Sequence, residues 1–100
     1  MTVKENRISD NVELLVSGRL DTTTAPQLET KLKECTKGVV RELIIDLSEV
    51  EYISSAGLRV ILVAHKMMAG LNGKMTVLHP SEFCMQVFSA TGMDGILNIE

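Results

Sequence analysis

Residues 43–68, LIIDLSEVEYISSAGLRVILVAHKMM, hold the step that decides the fold. Leu43-Ile44-Ile45-Asp46-Leu47 is a compact β-branched run, the pattern of a strand buried on both faces. Ser48 to Ile53 mixes polar and apolar residues and reads as a connection. From Ala56 to about Met68 apolar residues recur at helical spacing. Leu58, Ile61, Leu62, His65 and Met68 fall on one face, with Val60, Val63, Ala64 and Met67 beside them. So much apolar circumference predicts a helix packed between other elements. Ser54 and Ser55 stand where the buried strand enters that helix.

Working outward, Gly70 and Asn72-Gly73 stop the helix, and Met75-Thr76-Val77-Leu78 is the next strand. Pro80-Ser81 opens a further helix with a predicted core face of Phe83, Cys84, Val87 and Phe88, ending near Gly92. Ile96 to Ile99 gives a last strand. Toward the amino terminus, Val3 to about Ile8 is a polar edge strand. Asp10-Asn11 is a turn pair, and Val12 to Val16 is a strand with Gly18 as its predicted end. Thr24 with Gln27 predicts a capping box, and Pro26 suits the first turn of the helix that follows. That helix buries Ala25, Leu28, Leu32 and Cys35 and closes at Gly38. The predicted order is β-β-α-β-α-β-α-β: one α/β domain over residues 1–100, with about three helices and a mixed, mostly parallel sheet.

Composition narrows the function. The chain has 100 residues, 45% hydrophobic, 23% charged and 3% aromatic, which excludes intrinsic disorder. A net charge of −3 and the lack of any Lys/Arg cluster argue against direct nucleic-acid binding. The longest apolar run, Val60–Ala64, is far below the ~20 residues of a membrane span. The amino terminus lacks the apolar region of a secretory signal, and Cys35 and Cys84 form no C-x-x-C pair. Both features point to reduced thiols and a cytoplasmic location.

No nucleotide-binding glycine motif is present, so no cofactor is expected. His65 and His79 lack metal-pair spacing, and no metal or catalytic site is read. Ser54-Ser55-Ala56-Gly57 differs from a hydrolase nucleophile elbow because Ile53 stands where its first glycine belongs. One serine of the pair serves as a helix N-cap on the simplest reading. On the functional reading, a serine here is an exposed acceptor whose phosphate would meet free N–H groups and the positive end of the helix dipole.

Three segments carry a family resemblance: Gly18-Arg19-Leu20-Asp21, Leu43 to Val50, and Ser54-Ser55-Ala56-Gly57-Leu58-Arg59-Val60-Ile61-Leu62. Gly73-Lys74-Met75 and Phe88-Ser89-Ala90-Thr91-Gly92 add to them. In this order and spacing the chain resembles the STAS-domain anti-sigma factor antagonists, regulatory proteins controlled by serine phosphorylation. The family's central motif reads Asp-Ser-[Ser/Thr]-Gly-Leu-Gly. Its phosphoacceptor falls on Ser55, with Ser54 the alternative. Here the preceding Asp is Ser54, the following residue is Ala56, and the second Gly is Arg59.

The resemblance implies a STAS-like fold and a non-enzymatic binding protein. Unphosphorylated, it would capture an anti-sigma factor of the serine-kinase type and so release a sigma factor. Phosphorylation of Ser55 would end that complex, and a phosphatase would restore it. Asp21, Ser54, Ser55, Gly57 and Arg59 are the expected partner-binding residues, on a face formed by the Asp21 loop, the Glu51–Ser55 loop and the start of the second helix. Many family members add a closing helix after the last strand, so a chain ending at Glu100 is expected to expose apolar surface. Two rival roles are a non-phosphorylated STAS scaffold subunit of a transporter or other complex, and a small serine hydrolase acting through Ser55.

Overall fold

The computed structural model describes residues 1–100. Strands β1 (Thr2–Ile8), β2 (Asn11–Leu20), β3 (Glu42–Ile53) and β4 (Lys74–Leu78) form one sheet in the order β1-β2-β3-β4. β1 and β2 pair antiparallel; β2 with β3 and β3 with β4 pair parallel. Helices α1 (Ala25–Cys35) and α2 (Ser55–Gly70) provide the crossovers, and α3 (Glu82–Thr91) follows β4. The predicted last strand lies parallel to β4 as a single bridge, Val77 opposite Ile99. It is held by three backbone hydrogen bonds: Val77 to Asn98, Glu100 to Val77, and His79 to Glu100.

Alternation fixes the core. Val12, Leu14 and Val16 of β2 and Leu43, Ile45 and Leu47 of β3 are buried on one sheet face. The helices bring Ala25, Leu28, Leu32 and Cys35 from α1, and Val60, Ile61, Ala64 and Met68 from α2, into the same cluster. Each of the Val, Leu, Ile and Met side chains among them contributes roughly 1.5–3 kcal/mol relative to exposure. The apolar stripe of α2 is narrower than its composition suggests. Val63 is 49% exposed, so the helix is buried along one side and is not enclosed between layers.

Four other expectations are corrected. β3 does not stop at Leu47 but runs twelve residues to Ile53, so the expected Glu51–Ser55 loop is mostly strand. Pairing with β2 shifts twice, between Leu15 and Ser17 and between Gly18 and Arg19. Each shift places an extra residue in β3, and that moves Val50 and Ile53 back into the core after the exposed Ser48 and Glu49. Gly18 does not end β2. At φ +94° it lies within the irregular stretch, and the strand continues to Leu20.

The capping box predicted for α1 does not form, because the Thr24 hydroxyl is used behind the helix instead of on it. It donates to the Arg19 carbonyl (2.8 Å) and accepts from the Asp21 N–H (2.9 Å). In α3, Cys84 and Phe88 are buried as predicted, whereas Phe83 is 38% exposed and lies against Tyr52. The Ser81 hydroxyl caps α3 by accepting from the Cys84 N–H and ties the cap to β3 by donating to the Val50 carbonyl.

Candidate functional site

The site lies at the carboxyl ends of the parallel strands β2 and β3, the end where open α/β sheets place ligands. Leu20 and Ile53 are the last paired residues of the two strands. One step beyond each come Asp21 and Ser54, and the Ser54 N–H donates to the Leu20 carbonyl at 2.9 Å. This link brings together two motifs separated by more than thirty positions in the chain.

Ser54 is the N-cap of α2. Its backbone is extended (φ −97°, ψ 174°), and its hydroxyl accepts from the Gly57 N–H at 3.4 Å. Ser55 is the first residue of the helix. It is exposed, and its hydroxyl has no hydrogen-bond partner within the chain. The N-cap, which the sequence left open between the two adjacent serines, is therefore Ser54.

Gly57 is buried. A Cβ there would come within 2.6 Å of Leu20 Cγ and 2.8 Å of the Leu20 carbonyl oxygen. The missing side chain lets the first turn of α2 rest on the end of β2, so Gly57 shapes the site from beneath. Arg59 is exposed one turn along α2.

Asp21 shapes the neighbouring loop. Its carboxylate accepts from the N–H groups of Thr24 (3.1 Å) and Thr23 (3.0 Å). The Thr24 N–H, and after it the Thr23 N–H and the Arg19 guanidinium, hold the carboxyl below the ordinary aspartate range against an opposing effect of desolvation smaller than that of the Thr24 N–H.

A second group of residues was not legible as part of the site. Arg19 lies 4.2 Å from the centre of the Tyr52 ring and reaches toward Asp21 at 3.7 Å. Tyr52 in turn packs against Phe83, with ring centres 5.3 Å apart. Two of the chain's three aromatic residues thus sit together, Tyr52 two positions before Ser54 and Phe83 in α3. The signal that would reveal this row is the β2–β3 register opposite Arg19, which the two irregularities displace.

The Ser55 hydroxyl is hydrogen-bonded to no histidine or carboxylate of the chain. His65 lies ten residues along the same helix, about 15 Å away along its axis. The surface clefts of the fold are lined by other residues. No group of three or more His, Cys, Asp or Glu side chains is placed to hold a metal ion. No helix is long and apolar enough to cross a membrane.

The STAS-domain family model matches residues 3–100. The chain belongs to the STAS family. Among its relatives is an anti-sigma-B factor antagonist of Listeria monocytogenes, 32% identical over 100 residues, which cover 98% of this chain and 85% of the relative. The fold superposes on an anti-sigma factor antagonist from Mycobacterium paratuberculosis with a TM-score of 0.87 at 26% identity, covering 98% of this chain and 83% of that one. Unphosphorylated SpoIIAA, another anti-sigma factor antagonist, gives 0.85 at 19% identity, with 99% of this chain and 88% of that one covered, and shares the fold. In this STAS domain the motif's acidic position is taken by Ser54, which still provides a cap, and its second glycine position by Arg59.

Proposed function

We propose that this STAS domain is an anti-sigma factor antagonist switched by phosphorylation of Ser55. The unphosphorylated protein docks on an anti-sigma factor that is also a serine kinase, and a sigma factor is released. The observation that carries this reading is the exposed, unpartnered hydroxyl of Ser55 beside a serine already engaged as the cap. The Listeria relative's role as an anti-sigma-B factor antagonist supports it.

Ser55 Oγ attacks the γ-phosphorus of ATP on the kinase, its proton passes to a base or to water, and ADP leaves. The ester adds about −1.5 to −2 charges at pH 7. The positive end of α2 tolerates that charge, so the helix stays folded and the effect falls on the docking face through repulsion and desolvation. A phosphatase returns the hydroxyl. The protein acts as a binding partner in the cytoplasm, consistent with two free, buried thiols whose pKa values burial pushes up.

Incubation with the kinase and ATP, followed by fragment-ion mass spectrometry, tests the acceptor. Glu42–Arg59 leaves trypsin as one peptide, so ions separating Ser54 from Ser55 are required. Phosphate on Ser55 is expected; phosphate on neither serine ends the switch reading. Copurification of a transporter ATPase, with no kinase-like protein, would favour the scaffold role.

A further inference from the structure

The first turn of α2 carries no acidic residue. Arg19, the neighbouring cation, is occupied by Asp21 and by the face of Tyr52. Arg59 takes part in none of the chain's six ion pairs and in no side-chain hydrogen bond. It is exposed and four residues after Ser55 on the same helix. Side chains at that spacing face the same way with Cβ atoms about 5–6 Å apart, and an anion four residues before a cation is the favourable order.

Building on the reading of Ser55 as the phosphoacceptor, we propose that Arg59 is the internal counter-ion of the phosphorylated serine. Its planar fork of N–H donors matches two phosphate oxygens, a geometry that a lysine ammonium provides less well. Ser54 lies outside this arrangement: it is five residues from Arg59, and its hydroxyl turns inward to the Gly57 N–H. The pairing also deepens the switch. In the unphosphorylated protein the Arg59 guanidinium is free to meet a partner carboxylate. In the phosphorylated protein the phosphate draws it back along α2, so one modification adds an anion to the docking face and withdraws a cation from it.

The test uses full-length protein with phosphoserine installed at position 55 during synthesis, so no kinase is needed. The second ionisation of the phosphate is followed by 31P NMR titration in the wild type, Arg59→Ala and Arg59→Lys. The other charged residues on the segments that lead into the site are Arg19 and Asp21 at the end of β2 and Glu51 in β3, and they are common to all three proteins. The wild-type ionisation is expected about 0.2–0.4 pH unit below that of Arg59→Ala, with Arg59→Lys between them. Identical titrations in wild type and Arg59→Ala would overturn the pairing. A helix end acting alone predicts that identity, because Arg59→Ala leaves the end intact. Failure of the kinase to modify Ser55 would instead remove the switch and leave this titration result standing.

Discussion

Ser54 and Ser55 differ in what their hydroxyls touch, and that difference sets opposite expectations for two alanine substitutions. Ser54→Ala leaves the Gly57 N–H without its cap and should destabilise the fold by about 1 kcal/mol. Ser55→Ala removes a hydroxyl with no partner, so its effect should stay within about 0.5 kcal/mol. Urea unfolding of the two variants measures the contrast, and a larger loss at Ser55 would reverse the assignment of cap and acceptor. Asp21 makes a pH-dependent prediction. Its carboxyl titrates below the ordinary aspartate value because the Thr24 and Thr23 N–H groups favour the anion. A lowered native pKa means its contribution is complete above the unfolded-state pKa and is lost as pH falls through the native one. The stability gap between wild type and Asp21→Ala should therefore be constant near neutrality and shrink between about pH 5 and pH 2. A gap that instead grew on acidification would rule out this hydrogen-bonding role of the carboxylate.

The contact between α2 and the end of β2 rests on the absence of one Cβ. Gly57→Ala would force it against the Leu20 side chain and carbonyl, with an expected loss of about 1–3 kcal/mol. The same shift should open the Ser54-to-Leu20 hydrogen bond, visible as faster exchange of the Ser54 amide. A substitution that proved neutral on both counts would show that α2 can slide without disturbing the site. This contact also marks where the sequence stopped being readable. Periodicity located all three helices, since each buries residues three and four apart, such as Leu28 and Leu32 or Ile61, Ala64 and Met68. It failed along β3 because the core phase is reset twice, once past Ser48-Glu49 and again at Glu51, and a strand whose alternation breaks looks like a loop. The capping box failed for a related reason: Thr24 has the right residue type, but the backbone at Arg19 and Asp21 competes for its hydroxyl. The motif placed Asp21 and Ser55 near one another by resemblance alone, whereas the Leu20–Ile53 pairing supplies the physical reason.

At the scale of the whole molecule, the site stands at the edge of the core without being part of it, so a change of charge there can alter binding without altering the fold. Ser55→Asp adds an anion at the start of α2, where no other acidic residue sits, while the Ser54 cap remains in place. The variant should be as stable as the wild type or more stable by about 0.3–1 kcal/mol. Hydrogen exchange at the buried positions Val60, Ile61 and Ala64 should be unchanged. Its affinity for the kinase-type anti-sigma partner should nevertheless fall, whereas Ser55→Ala should bind as the unphosphorylated protein does and resist inactivation by ATP. Charge reversal at Arg59 should weaken the same complex and leave folding intact, because that side chain is exposed and unpaired. Stability and binding moving in opposite directions for Ser55→Asp are what a switch carried by the surface requires. If faster exchange spread through α2 in that variant, the signal would travel through unfolding of the helix, and the docking-face mechanism would fail.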